Sequence, residues 1–407
     1  MSWVASAVAA ERPWMEDLLV DLVSVPTTVG NEEAGQARMA RAFTECGLEP
    51  VDVWMDASAI RADPHHSPFS WDVAGKRNLT ATWAGSGGGR SLILNGHIDV
   101  VPAPKYGARR DGDWLYGRGA GDMKAGLVAM TGAVRALRAA GVELDGSVQL
   151  QSVVEEECTG NGTLQCLIDG AHADAAVLTE PHPDSFTIAQ VGVLWFHVDV
   201  TGVTGHAGYG GTSPIASIGA VLAELRVLEA ELNAERHGHY ADHPHPIYLN
   251  PGVISGGDWP SSVPASCTLS CRLATYPGTD PAALRARLEA AVARPGVGAE
   301  VRYDGFSCEG SVVPEDAPVV LALADAYRQV LGAEPSLEAT TATTDARHFV
   351  RAGIPAICFG PRAEDIHGHD ERVSLRSVLE VATVLAHFVL DWCGLKATRG
   401  EAVHVHH

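Results

Sequence analysis

Apolar positions along the N-terminal part of the chain follow two patterns in turn. Spacings of three and four across residues 14–24 and 34–46 predict two helices, each with one buried face. Residues 91–95 (SLILN) are a continuous apolar run flanked by glycine, as in a buried strand. A helix is predicted over 124–140, stopped by Gly141, then a strand over 147–154, a helix over 163–169 and a short strand over 175–179. Strands alternating with helices predict an α/β fold around a doubly wound, largely parallel sheet.

The pattern changes near Val191. Residues 193–202 (VLWFHVDVTG) alternate as a strand covered on one face does, and a long helix is predicted over 214–233. Strands over 247–255 and 265–276, separated by a glycine-rich turn, precede a helix over 281–293 and a strand over 299–303. The order strand–helix–strand–strand–helix–strand is the ferredoxin-like plan. Residues 191–305 are therefore expected to form an α+β domain inserted into a catalytic domain made of 1–190 and 306–395. Residues 396–407 read as a disordered tail, and no internal repeat is found.

The length, 407 residues, suits two compact units, and 46% hydrophobic with 19% charged residues is an ordinary globular balance. Lys and Arg total 29 against 50 Asp and Glu, a formal net charge of −21. With no basic stretch to offset it, that charge argues against nucleic acid and anionic membrane surfaces as partners. No run approaches the roughly 20 apolar residues of a membrane span. The start, MSWVASAVAA, lacks the basic residues of a signal peptide and reads as a helix start, so cytoplasm is the expected compartment. The eight cysteines show no C-x-x-C pair, which favours reduced, buried thiols.

Five segments carry candidate chemistry. Asn95-Gly96-His97-Ile98-Asp99 lies just past a predicted buried strand, where α/β sheets place their ligands, and a carboxylate two residues after a histidine can steady an imidazole that binds metal. Alone the motif is weak, and a loop histidine is the more ordinary reading. Asp122 closes the glycine-rich stretch 117–124 at a helix start; an N-cap and an anion nest are alternatives, though the spacing fits neither phosphate-binding glycine pattern. Glu155, Glu156 and Glu157 follow an apolar strand directly, and packing three carboxylates there is costly without cations. Glu180 ends the next strand, and 366–371 (IHGHDE) adds two histidines and two carboxylates after a strand over 356–359. Imidazoles with carboxylates suit zinc, with cobalt or manganese as alternatives.

Taken together and in this order, GHID, GRGAGDMKAG, VVEEECTGNGT, LTEP, TGHAGYG, TTDAR and IHGHDERV resemble the acetylornithine deacetylase / succinyl-diaminopimelate desuccinylase family, which includes aminoacylases and dinuclear zinc carboxypeptidases. The resemblance spans about residues 15 to 393. It implies two zinc ions per subunit: His97 and Glu180 on one, Glu157 and His367 on the other, and Asp122 bridging them, followed by a nonprolyl cis peptide. His367 rather than His369 is implied because the family's ligand lies four residues before the glutamate, here Glu371. Asp99 would orient His97, and Glu156 would be the general base. His206 would reach the neighbouring subunit's site to stabilise the developing oxyanion, which implies a homodimer through the inserted domain and a closing motion. Arg272, Thr343 and Arg347 match substrate-binding positions.

The implied activity is metal-dependent hydrolysis of the amide bond of a small N-acyl amino acid or related N-acyl or N-formyl amine. A dipeptidase or carboxypeptidase of the same mechanism is the alternative, and a non-catalytic metal-binding dimer the second. Three departures stand out: Glu155 replaces the family's aspartate, the common proline is missing after His206, and His369 stands where many relatives have a non-titrating residue. Residues 250–264 with IHGHDERV resemble a deacylase branch that includes enzymes acting on N-formyl aminopyrimidines. Cys158 reads as a buried thiol, no G-x-S-x-G elbow occurs, and His237, His239, His243 and His245 read as a solvated loop.

Overall fold

The apolar run at 91–95 becomes the strand Ser91–His97, at the middle of a nine-stranded sheet. The computed structural model describes residues 2–182, 184–235 and 238–396; His237 and residues 397–407 of the expected tail lie outside them. Ser147–Val153 and Ala175–Leu178 flank the central strand in parallel, and Ala356–Cys358 continues the parallel run. Beyond these the sheet is mixed. Arg77–Trp83 and Pro50–Trp54 are antiparallel on one flank, and Ser185–Gln190 lies antiparallel to Ala356–Cys358 on the other. Ser185–Gln190 in turn carries Ser311–Val312 antiparallel and Ser336–Thr340 parallel.

Layering on both faces follows from alternation along the central strand. Leu92 and Leu94 join the core formed with helices Ala125–Ala139 and Leu375–Cys393, whereas Ile93 joins a second core with Phe349 of the helix Ala346–Arg351. Each fully buried side chain of this kind contributes about 1.5–3 kcal/mol, which fixes the strand's register and so the position of its last residue, His97. The flank strands left no such signal. Arg77–Trp83 (RNLTATW) places Asn78 and Thr80 in the interior, with Asn78 Oδ1 accepting from the Val154 amide at 3.0 Å.

Gly192–Thr201, Leu249–Gly256, Ser266–Thr275 and Ala299–Arg302 form a separate antiparallel sheet, joined at one end by Ser307–Cys308. Helices Pro214–Ala234 and Pro281–Ala293 pack into its own apolar core. Phe196, Val198 and Val200 alternate into that core, as a one-faced strand requires. A doubly wound domain with an inserted ferredoxin-like lid is thus the observed architecture. A small four-stranded sheet pairs Trp114–Tyr116 with Arg372–Ser374 at the rim. All eight cysteines are free, and no helix among the described residues is long and apolar enough to cross a membrane. Lys396, assigned to the tail, is held by Glu143: its amide donates to the Glu143 carbonyl at 3.0 Å.

Candidate metal centre

Three neighbouring parallel strands end side by side, and each delivers ligand-type side chains at its carboxyl end. Ser91–His97 ends on His97, Ser147–Val153 runs into Glu155–Glu157, and Ala175–Leu178 runs into Glu180. Because the first lies between the other two, the sheet order itself brings these groups to one rim. Asp122 arrives from the glycine-rich segment before the helix Ala125–Ala139, through a cis Asp122–Met123 peptide. Gly126 lets that helix approach closely: a Cβ there would lie 2.0 Å from the Thr179 carbonyl oxygen, beside Glu180. His367 stands in the loop between the antiparallel strands Ala363–Glu364 and Arg372–Ser374, with φ of 63°.

The side chains converge. His97 Nε2 is 3.1 Å from Asp122 Oδ1, 3.9 Å from Glu156 Oε2 and 4.0 Å from Glu180 Oε1. His367 Nε2 is 3.3 Å from Asp122 Oδ2 and 3.1 Å from Glu157 Oε1. The two carboxylate oxygens of Asp122 thus face different imidazoles. His97 Nδ1 donates to the Asp99 backbone carbonyl at 2.9 Å; a carbonyl only accepts, so Nε2 is the nitrogen left for a metal. The Asp99 carboxylate is 3.7 Å from the ring and accepts instead from the amides of Glu156 (3.2 Å) and Glu157 (3.0 Å). It fixes the carboxylate turn more directly than the imidazole it was expected to orient.

Charge at this rim is unbalanced. Burial pushes the Glu156 carboxyl well above the usual range, and His97 offsets this only in part against Asp345, Glu180 and Glu157. Glu180 shifts the same way, and Asp99 is pushed up to about 7 by burial. Burial alone would lower His367, yet Asp122 and Glu157 outweigh it and raise its pKa to about 10. Among the described residues no Lys or Arg pairs with Asp99, Asp122, Glu156, Glu157 or Glu180; their only ionic partners are histidines. Lys124, though next to Asp122 in the chain but for one residue, turns away to the carbonyls of Leu22 and Val25. Glu156 Oε1 is buried without a hydrogen-bond partner. Such a cluster requires positive charge from outside the chain, and its carboxylate and imidazole donors fit a divalent metal of the zinc type. His97, Asp122 and Glu157 lie close enough to share one ion.

A buried frame holds the cluster. Glu371, 1% exposed, accepts from the amides of Gly121 (3.0 Å) and Asp122 (3.2 Å) and pairs with Arg118, which also donates to the carbonyls of His367 (2.9 Å) and Gly368 (3.1 Å). Glu155 accepts from Lys76 (2.6 Å) and from the Trp71 indole (2.8 Å), so it is a structural anchor beside Glu156. Arg118, Trp71 and Lys76 were not singled out from the sequence; only Arg118 left a signal, as a lone charge among glycines.

The remaining expected residues lie elsewhere. His206 is exposed on the inserted domain, its Nδ1 accepting from the Gly208 amide at 3.1 Å. Arg272 sits mid-strand rather than at a strand end, half-buried and with no ion pair among the described residues; its one contact is the Thr341 carbonyl at 3.5 Å. Thr343 donates to the Val191 carbonyl at 2.8 Å. Arg347 donates to the carbonyls of Thr344 (2.7 Å) and Thr159 (3.0 Å) beside Asp345, and its Nε is buried without a partner. His369 is exposed. Cys158 is buried with its thiol pKa pushed up by burial, unlike a nucleophile. His245, read as part of a solvated loop, instead contacts Glu229 Oε1 at 3.1 Å.

The pattern of peptidase family M20/M25/M40 matches residues 93–391, which takes in every residue of the cluster. The chain belongs to this family. M20 proteins are metal-dependent hydrolases, in keeping with the uncompensated carboxylates at the rim. This M20 chain is 29% identical over 371 residues to the N-formyl-4-amino-5-aminomethyl-2-methylpyrimidine deformylase of Bacillus subtilis (strain 168), covering 80% of this chain and 85% of that one. It is 28% identical over 345 residues to the succinyl-diaminopimelate desuccinylase of Dinoroseobacter shibae, covering 79% and 88%. Its fold is shared with a dinuclear metal-binding M20 peptidase from Bacillus subtilis, with a TM-score of 0.60 and 17% identity over 94% of this chain and 99% of that one.

Proposed function

We propose that this chain is a dinuclear metal-dependent amidohydrolase that removes an acyl or formyl group from a small amine or amino acid. The observation that carries this reading is the carboxylate cluster at the ends of three adjacent parallel strands, which has no Lys or Arg ion pair among the described residues. His97 and Glu180 would hold one ion, Glu157 and His367 the other, and Asp122 both; zinc suits these donors, with cobalt or manganese as substitutes. When bound, such ions supply Lewis acidity, polarising an amide carbonyl and acidifying water.

The chain's own residues supply the proton transfers. Glu156 is buried and near His97, with Oε1 unpartnered. A carboxyl whose pKa burial has raised is suited both to take a proton from the attacking water and to return it to the departing amine. Asp99 holds the Glu156–Glu157 backbone in place for this role. Arg272, free of carboxylates, is the group suited to a substrate carboxylate; Thr343 and Arg347 position the loop rather than the substrate. In this reading residues 191–305 are a lid that closes over a catalytic domain of 1–190 and 306–395. The exposed edge strand Leu249–Gly256, with Val253 and Ile254 at 61% and 58% exposure, supports pairing with a second copy, whose His206 completes the site. Cytoplasm remains the expected compartment.

A panel of N-formyl, N-acetyl and N-succinyl amines, assayed with zinc- and cobalt-loaded protein, tests the reading: amine release is expected, and none from any compound would reject it. The family's peptidases favour a second reading, dipeptide cleavage, which faster turnover of dipeptides in the same panel would establish.

A further inference from the structure

A second cavity, of about 820 Å³, opens where the two lobes meet, and none of the five candidate metal ligands lines it. Its volume is in the range of small-molecule sites, roughly 300–1,000 Å³. Both crossings of the chain between lobes contribute to its wall, through Val193 on the outward strand and Cys308 on the return. Arg285 enters from the inserted lobe and Arg351 from the catalytic lobe.

The lining is basic in a chain that is strongly acidic overall. Glu309 is its only carboxylate among the described residues, against Arg285, Arg347 and Arg351. Arg347 is held by internal carbonyls and Asp345, whereas among the described residues Arg285 has no ion pair and Arg351 has a single long one. A guanidinium has five N–H donors. Among the described residues the Arg285 guanidinium makes one hydrogen bond, to Ser307 Oγ at 2.9 Å, rests over the Tyr303 ring and has no ion pair; its Nε is buried and unpartnered. The Arg351 guanidinium makes no hydrogen bond among the described residues, and its one ion pair there, with Asp63, is long at 3.8 Å. Two partly desolvated guanidiniums with spare donors, facing one cavity from opposite lobes, match the oxygens of a carboxylate or phosphoryl group.

We propose that this cavity is a second ligand site, in which a small organic anion is held through its carboxylate or phosphoryl oxygens by Arg285 and Arg351. The inference goes beyond the catalytic reading and does not depend on it. A ligand contacting both lobes at their crossing favours one relative orientation over others. A physical route from there to the metal rim exists. The Gly305 amide donates to the Pro68 carbonyl at 2.8 Å, the Ser307 amide to Ser67 Oγ at 3.2 Å, and three residues after Pro68 the Trp71 indole donates to Glu155.

The test is calorimetric titration of metal-loaded protein with two probes, inorganic phosphate and glutarate, at fixed ionic strength. The wild type, the Arg285→Gln/Arg351→Gln double variant and His367→Ala are compared, with unchanged circular dichroism confirming folding and Arg351→Gln alone as the milder change. Saturable binding of at least one probe is expected, weakened at least tenfold in the double variant and unchanged in His367→Ala; the stronger probe identifies the oxygen chemistry. Hydrogen exchange is expected to slow at residues 64–71 and 304–312 when the probe is present. Absence of saturable binding overturns the proposal, as does binding that is lost in His367→Ala but kept in the double variant. Exchange unchanged at both segments overturns the bridging of the lobes.

Discussion

Glu371→Ala tests whether the metal rim is assembled by its frame. The Glu371 carboxylate is 1% exposed, accepts two backbone amides, from Gly121 and Asp122, and is the counter-charge to Arg118, which is 6% exposed. Removing it strands a buried guanidinium, a loss of about 3–5 kcal/mol for one partner of a buried pair. Two orphaned amides, one of them that of Asp122 itself, add to the cost. Arg118 then lacks the carboxylate that anchors it against the carbonyls of His367 and Gly368, so both the Asp122 and His367 segments loosen. Losing such support typically weakens metal affinity by roughly 10–100-fold. Competition between apoprotein and a chromophoric chelator for cobalt measures that affinity, and urea unfolding of the apoprotein measures stability. Glu371→Gln keeps the shape and one acceptor and is expected to fall between Ala and wild type. If Glu371→Ala binds cobalt as tightly as wild type, the frame does not position the ligands and the reasoning fails.

Glu156→Gln is expected to keep its bound metal while turnover drops by about 10²–10⁴-fold, the usual worth of a general base; metal content and kcat measured on one sample check both halves. Co-expressed His206→Ala and Glu156→Gln chains, each inactive alone, are expected to give active mixed dimers, since one site then holds an intact Glu156 and the partner's intact His206. Inactive mixed dimers would show that His206 acts within its own chain or not at all. Val253→Asp with Ile254→Lys on the exposed edge strand is expected to give monomers by light scattering and to lower activity with them. Chelation is expected to destabilise the fold: a metal present at 100 times its Kd contributes about 2.7 kcal/mol, seen as a lower unfolding midpoint in chelator that added zinc restores.

What the sequence showed, and what it hid, divides along the kind of burial. Segments that bury apolar side chains were legible to within a residue or two: the helix Pro281–Ala293 and the strand Gly192–Thr201 lie within a residue of where their periodicity placed them. Strands that bury polar groups were not. Ser185–Gln190 (SFTIAQ) and Arg77–Trp83 spend Gln190 and Asn78 on hydrogen bonds to Thr344 and Gly162, a stabilisation that no hydropathy pattern records. The same division runs through the site. His97, Glu157 and Glu180 lie at or just past strand ends, and they, Asp122 and His367 could be named as ligands because the motifs around them resemble the family's. The orientation of Arg347 and the use of Asp99 could not, because both are set by hydrogen bonds across the chain, to Thr159 and to the Glu156 and Glu157 amides.

The two halves of the centre are held by different physics, which explains why the frame lies where it does. On one side the His97 and Glu180 side chains are 1% and 6% exposed and follow strands locked by apolar cores on both faces. Packing sets their positions, and the Asp99 carbonyl orients the His97 ring. On the other side the His367 side chain is 48% exposed, in a surface loop with a left-handed backbone and few apolar neighbours to hold it. In the proposed reading substrate approaches from this open flank, where apolar packing would close it. Hydrogen bonds from a buried base can do the same work: Arg118, anchored by Glu371, grips the His367 and Gly368 carbonyls and leaves the imidazole free to meet Asp122 and Glu157. The ion pair lies under the flank that function keeps open, where the hydrophobic effect has least to offer.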